Sequence, residues 1–204
     1  MSHTFNNEHN QSSSADNTQC LNHGGHEVLD MHETVGGIVA GLDQAILLRD
    51  KIQDPELLNI LDRQYNFTLD AYNIIVESFK TGHDPSHPTG RYQMETGHNF
   101  TYGLTPGQPK KPMQGAQEIT DDVISGFLLG AHKSNATSMT ATALEITNPV
   151  TRRVVADSIA NCIEMAYELA VYQNKRGYYQ VPQLSQQNMH EMLNAFATSK
   201  NPMH

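Results

Sequence analysis

Asp54-Pro55 and Asn148-Pro149 constrain this chain more than any other residues do. Each pair interrupts a long stretch of helical pattern, and the two pairs lie 94 positions apart. An Asp or Asn side-chain oxygen accepts a hydrogen bond from an orphan N–H in the first turn of a helix. Pro at the next position has no N–H to leave unpaired. Each pair therefore ends one helix and begins another. Both copies also close alike, on Lys80-Thr81-Gly82 and on Lys175-Arg176-Gly177. Cations suit the negative end of a helix, and Gly suits the left-handed residue after it. The chain reads as two copies of one helical hairpin, over 27–80 and 118–177.

Periodicity fills in the four helices. The first is predicted from Glu27 to Gln53, with Val28, Val35 and Leu42 repeating at seven and Val39 and Ile46 beside them. Gly36, Gly37 and Gly41 fall inside it, each costing about 1 kcal/mol against Ala in an exposed helix. Close approach of a neighbouring helix or chain is the expected compensation. The second runs from Pro55 to Lys80, with Leu58, Tyr65, Tyr72 and Phe79 at seven and Leu61, Leu69, Ile75 and Val76 flanking. The third runs from Ile119 to Thr147, with Ile124, Leu128, Ala131, Met139, Ala143 and Ile146 inward. The fourth runs from Pro149 to Arg176, with Val155, Ile159, Cys162, Met165, Leu169 and Tyr172 inward.

Between the hairpins, residues 81–117 form a crossover rich in Gly and Pro, which excludes regular helix and central strand. So long a connection is unusual in a compact domain, but a ferritin-like four-helix bundle needs one between its second and third helices. The expected fold is therefore all-α: a ferritin-like four-helix bundle over 26–184, made of two helical hairpins joined by a long crossover. Tyr92, Met94, Phe100, Tyr102 and Leu104 are the crossover residues expected to pin it along the bundle. A polar tail rich in His, Asn and Ser, read as disordered, precedes the bundle over 1–25. A short amphipathic helix and tail follow over 185–204, capped at Ser185, with Met189, Met192, Leu193 and Phe196 on one face.

Composition narrows the function. Charged residues are 17% of the chain, against about 25% in an average globular protein. The low-charge surface, polar through Asn, Gln, Ser, Thr and 11 His, suits close association with other proteins. A net charge of −9 with no basic cluster argues against nucleic acid. No apolar run approaches the roughly 20 residues of a membrane span, and the N-terminal stretch lacks the apolar core of a signal peptide. Two cysteines make no disulfide framework: Cys162 reads as a small buried hydrophobe, and Cys20 as an exposed thiol in the tail.

A ferritin-like bundle raises the question of a di-metal carboxylate site, which needs Glu-x-x-His on two helices and a Glu on each of the others. No helix carries Glu-x-x-His; the instance Glu95-Thr96-Gly97-His98 lies in the crossover. Asp157, Glu164 and Glu168 share a face opposite Val155, Cys162 and Leu169 and read as solvated, as do Asp62 and Asp70 on the second helix. His32 and His132 lie on apolar stripes and read as core or bundle-end histidines. His23, His26, Asp30 and Glu33, and separately His83, Asp84 and His87, gather metal-binding residue types without fixed geometry. No nucleophile elbow, phosphate loop or dinucleotide fingerprint is present. The expectation is no catalytic residue, no cofactor and no metal site. A ferritin-like metal-binding oxidase or peroxide scavenger is the alternative.

The run Tyr172-Gln173-Asn174-Lys175-Arg176-Gly177-Tyr178-Tyr179-Gln180-Val181-Pro182-Gln183-Leu184 resembles the C-terminal signature of the spore coat F family of endospore-forming bacteria. Gly24-Gly25-His26-Glu27, Asp54-Pro55-Glu56-Leu57 and Lys80 to Pro88 resemble the N-terminal half of longer members. The resemblance spans residues 24–184. It implies a structural, non-enzymatic protein made in the cytoplasm of the sporulating cell and found in the forespore or spore coat. Its implied partners are other spore coat proteins and further copies of itself. Tyr178, Tyr179 and Cys20 are the residues a coat would use for covalent cross-links, with ordinary packing the expected role of the two tyrosines.

Overall fold

The computed structural model describes residues 23–200. The tail reading for residues 1–22, with Cys20 in it, lies outside the described residues. Five α-helices follow in order: α1 Gly25–Arg49, α2 Pro55–Thr81, α3 Asp121–Glu145, α4 Pro149–Lys175 and α5 Gln186–Leu193. A 3-10 turn, Ala116–Glu118, precedes α3. Among the described residues there is no β-strand, only a lone bridge pairing Tyr102 with Val181.

The start of α1 meets the end of α3 and the start of α4, where the end of α2 also arrives. At the opposite end, the α1–α2 corner meets the start of α3 and the end of α4. Side-by-side helices are therefore antiparallel. α1 packs on α2 and α3, α4 packs on α3 and α2, and the diagonal pair α2–α3 only grazes. The crossover must traverse the bundle, because α2 ends where α3 does.

Both corners are built as their sequence predicts, and each is completed by the other hairpin. Asp54 caps α2, its Oδ1 accepting from Glu56 N–H at 2.9 Å. Asn148 caps α4, its Oδ1 accepting from the N–H groups of Val150 and Thr151 at 3.0 and 2.9 Å. The N–H groups at and just before each cap point away from the helix they introduce. Those of Gln53 and Asp54 both donate to the Asp121 carboxylate, at 3.0 Å each. Those of Thr147 and Asn148 both donate to Glu27 Oε2, at 2.8 and 3.3 Å. Asp121 opens α3, Glu27 opens α1, and the two are again 94 positions apart. The third member of each corner obeys the same offset. Asn148 Nδ2 donates to the Gly82 carbonyl at 3.1 Å, and Arg176 Nε donates to Asp54 Oδ2 at 2.6 Å. Gly82 and Gly177 take the left-handed conformation that stops α2 and α4, with φ of 67° and 72°.

Two apolar clusters fill the interior. Met31, Ile38, Ile75, Met139, Val155 and Met165 belong to the one nearer the Glu27 corner. Leu57, Leu61, Ile124, Leu128, Leu169 and Tyr172 belong to the one nearer the Asp121 corner. The inward faces of α3 and α4 match the predicted stripes, with Ala131, Ala143 and Ile159 half-buried at their edges. α1 does not match. Its buried line is Glu27, Met31, Thr34, Ile38, Ala45 and Leu48, while Val28, Val35 and Leu42 are half-buried and Ile46 is 55% exposed. Thr34 explains the rotation. Its hydroxyl is within 2.8 Å of both Ser138 Oγ and Thr142 Oγ1, so a polar contact fixes which face meets α3. On α2 the heptad line Leu58, Tyr65, Tyr72 and Phe79 is likewise half-buried, and Leu57, Ile60, Leu61, Ile74 and Ile75 form the core. The glycines of α1 divide. Gly37 and Gly41 lie against Asn135 of α3, whereas Gly36 meets nothing within 4 Å. Close approach therefore accounts for two of the three.

Glu27 is fully buried and accepts from His23, Gly24, Thr147 and Asn148. Burial pushes its carboxyl up, but hydrogen bonds from Thr147, His23 and Gly24 outweigh that and hold it at about 2, below the ordinary 4.5. A depressed carboxyl stabilises the fold above its unfolded value and loses that contribution as pH falls through the folded one. Glu27→Gln should destabilise the protein by about 3 kcal/mol in urea denaturation, since it leaves buried donors without their charged acceptor. Asp121→Asn, at a half-exposed corner, should cost about 1 kcal/mol. Between pH 4.5 and pH 2 the wild type should lose stability more steeply than the Glu27→Gln variant. Equal slopes would show that Glu27 is not the group responsible.

Candidate functional site

Glu168 is the most unusual residue in the interior. It is 0% exposed on α4 and accepts from five donors. Arg63 Nη2 and Gln64 Nε2 reach it from α2, at 2.7 and 3.1 Å. The crossover supplies the Tyr92 hydroxyl at 2.5 Å, Glu95 N–H at 3.1 Å and Thr96 Oγ1 at 3.2 Å. Burial raises its proton affinity, but the bonds from Arg63, Tyr92 and Glu95 dominate and hold the carboxyl below its ordinary range. The Tyr92 hydroxyl is pushed up, by burial first and then by Glu168. The group at the centre is thus a carboxylate fully engaged by the protein's own donors.

The expectation of a solvated Asp157–Glu164–Glu168 face is therefore corrected at Glu168. Asp157 is exposed beside Arg153, and Glu164 is half-buried. The signal was present in the spacing. Glu168 stands three residues after Met165 and four before Tyr172, on the inward side, and its counterpart 94 residues earlier is the buried Ile74.

From Glu168 the polar chain continues inward. Gln64 gives its second amide hydrogen to the Met165 carbonyl at 3.1 Å, and its Oε1 accepts from His132 Nε2 at 2.9 Å. That assigns the Nε2–H tautomer to His132 and leaves Nδ1 as a buried acceptor with no partner among the described residues. Burial pulls His132 down to about 4, against a smaller opposing pull from Glu168, so it is neutral at physiological pH. His132 also borders a cavity of about 30 Å³, with Gly41, Leu61, Gln64 and Asn135 among its walls. A space of that size holds about one water. His132 is the core histidine the sequence predicted. His32 is not: it is exposed, edge-on to Phe79 with ring centroids 6.3 Å apart.

The signature at the end of α4 is a latch on the crossover. Asn174 Oδ1 accepts from Thr101 N–H at 2.7 Å, and its Nδ2 donates to the carbonyls of Thr101 and Tyr179, each at 3.0 Å. Gln180 accepts from Thr105 N–H at 2.5 Å and donates to the Thr105 carbonyl at 3.1 Å. Gly103 N–H donates to the Val181 carbonyl at 2.9 Å. Two amide side chains therefore imitate a neighbouring strand, and Asn161 does the same further up, accepting from Tyr92 N–H and donating to the Gly90 carbonyl. Tyr178 packs edge-on to Tyr172, and Tyr179 lies half-exposed under Lys133. Of the predicted pinning residues, Tyr92 is buried, Met94 packs on the core, and Phe100 lies tilted against Tyr167 with ring centroids 5.6 Å apart, while Tyr102 and Leu104 are exposed. Backbone capture replaces the side-chain packing expected of those last two.

The remaining candidates stay apart. His23 donates to Glu27 at 2.6 Å, His26 lies 3.7 Å from Asp30 and 3.4 Å from Glu145, and His87 pairs with Asp70 at 3.2 Å. Glu33, His83 and Asp84 are exposed, and Asp62 pairs with Arg49 at 2.8 Å. Among the described residues no three His, Cys, Asp or Glu side chains are placed to hold a metal ion. Burial pushes the Cys162 thiol up to about 11, so it stays protonated against Met139. Chemically, this arrangement ties the protein's own helices and crossover together.

The Coat F domain family matches residues 120–182, which span α3, α4 and the latch. The chain is 49% identical over 180 residues to the spore coat protein F-like protein YhcQ of Bacillus subtilis (strain 168). That alignment covers 88% of this chain and 83% of the relative, so it takes in the first hairpin as well. No solved structure matches the chain.

Removing the Glu168 charge tests its role. Glu168→Gln should lower stability by about 3 kcal/mol by stranding Arg63, and Tyr92→Phe by about 1 kcal/mol. Hydrogen exchange at residues 92–96 should accelerate in both. Unchanged exchange there would show that the crossover is held by something else.

Proposed function

This chain belongs to the Coat F family of spore coat proteins, and we propose that it is a structural, non-enzymatic component of the bacterial endospore. It is made in the cytoplasm of the sporulating cell and resides in the forespore or spore coat. There it acts through self-association or by packing against other coat proteins, without a cofactor. Its working part is a ferritin-like bundle over 26–184, flanked by the tail at 1–25 and the short helix and tail at 185–204.

One observation carries this reading. The polar residues that an enzyme would turn toward a substrate are turned here toward the crossover and the helix corners. Glu168, Asn161, Asn174 and Gln180 each take crossover backbone groups. Glu27 and Asp121 take corner backbone groups. A carboxylate already holding five donors is a poor general base and a poor metal ligand, and a low-charge surface favours packing with other proteins. Among the described residues no helix is long and apolar enough to cross a membrane. The ferritin-like oxidase would need inward Glu-x-x-His pairs on two helices, and α1 to α4 have none.

Two measurements test the proposal. A fluorescent fusion followed through sporulation, with fractionation of the mature spores, should place the protein in the forespore or coat. A fusion that stays diffuse in the mother cell, with no protein recovered from spores, would overturn it. After aerobic iron loading and desalting, the purified protein should retain less than stoichiometric iron; about two Fe per chain would establish the oxidase reading instead.

A further inference from the structure

Two buried polar side chains of α3 hold atoms that the protein does not satisfy. His132 and Asn135 are 8% and 7% exposed and stand three residues apart on one face. His132 commits Nε2–H to Gln64, and its Nδ1 has no partner among the described residues. The Asn135 side-chain amide makes no hydrogen bond to any described residue, although it carries two donor hydrogens and an acceptor oxygen. Leaving such groups dry is costly, and buried polar groups that lack a protein partner are ordinarily met by a bound molecule.

Both side chains line the same cavity, the space of about 30 Å³ beside Gln64. It lies among α1, α2 and α3, where the diagonal pair α2–α3 only grazes. Cavities that stay empty are apolar, and this one is not. Its remaining wall is largely apolar and includes no charged side chain. Tyr65 and Thr68 in that wall are half-buried, so the cavity reaches toward the surface.

Gly41 keeps the space open. A methyl group there would sit 3.7 Å from Asn135 Nδ2 and 3.8 Å from Ala131 Cβ, which are ordinary contact distances. The packing of α1 on α3 would therefore accept alanine, a better helix former than glycine. What alanine would take away is room beside the Asn135 amide.

We propose that this cavity is a binding site for one small neutral hydroxyl compound, water or a short-chain alcohol, whose hydroxyl donates to His132 Nδ1 and accepts from the Asn135 amide. The roles follow from the groups left free. The ring N–H of His132 is already used, so its Nδ1 can only accept and the ligand must donate. Asn135 Nδ2 faces Gly41 at the cavity wall and supplies the donor for the ligand oxygen. A lining without charge takes a neutral ligand, and the volume limits it to about two heavy atoms.

NMR on the full chain tests this, following the Asn135 side-chain amide and the His132 ring. Methanol should shift both signals along a saturating curve, while tert-butanol, too large for the cavity, should not. Gly41→Ala, with circular dichroism unchanged, should weaken methanol binding at least 10-fold, and so should Asn135→Ala, read at His132. Those results make a short alcohol the ligand. Methanol shifts that never saturate, together with a nuclear Overhauser contact between water and the Asn135 amide that is lost in Gly41→Ala, make water the ligand. Non-saturating methanol shifts with no water contact, saturation by tert-butanol as readily as by methanol, or identical behaviour of Gly41→Ala and wild type would each overturn the site.

Discussion

The bundle depends on two carboxylates that accept backbone N–H groups from the opposite hairpin's corner. A helix–helix corner leaves donors that neither of its own helices can use. Burying such a group without a partner costs about 1–3 kcal/mol. Glu27 takes those of Thr147 and Asn148, and Asp121 takes those of Gln53 and Asp54. Each hairpin therefore completes the other. The two corners are not energetically equal. Glu27 is fully buried, while the Asp121 corner lies nearer water and adds the ion pairs of Arg176 and Lys175 with Asp54 and Glu56.

Within that shared frame, the second hairpin carries polar core residues where the first has apolar ones. Ile74 of α2 is an apolar core residue, and its counterpart Glu168 is a buried anchor for the crossover. Ile38 of α1 has His132 as its counterpart, and His132 joins the same network through Gln64. α4 buries Thr151, Ser158, Asn161, Glu168, Gln173 and Asn174, each hydrogen-bonded. A helix that contacts two neighbouring helices and the crossover has no solvated face along these positions. Its polar residues fix the position of an irregular segment whose backbone would otherwise lack partners.

Much of this was legible in the residues. The corners, the caps at Asp54, Asn148 and Ser185, the left-handed Gly82 and Gly177, and the long crossover all follow from local chemistry. The predicted stripes of α3 and α4 match the buried face, where their large apolar residues lie. The heptad lines of α1 and α2 do not, although Leu61 and Ile75, expected beside the α2 line, are core residues. A line drawn at seven residues drifts about 20° per heptad on a straight helix, and polar Glu27, Thr34, Gln64 and Ser78 occupy core positions that a count of apolar residues passes over. Glu168 shows the same bias: its spacing from Met165 and Tyr172 places it inward, but counting apolar residues alone assigns a carboxylate to the outer face.

The sequence by itself determined where α2 and α4 begin and end, and that the chain is built from two similar hairpins; α1 stops at Arg49, four residues before the predicted Gln53, and α3 is Asp121–Glu145 rather than Ile119–Thr147. Caps and stop signals act over two to five residues, and a repeat is visible as an offset. Only the tertiary structure decided which charged and polar side chains are inside. Their partners are remote: Glu27 meets Thr147 across 120 positions, Glu168 meets Tyr92 across 76, and Asn174 meets Thr101 across 73. A buried carboxylate is stable only where several such donors converge, and that convergence exists only once the four helices and the crossover have come together.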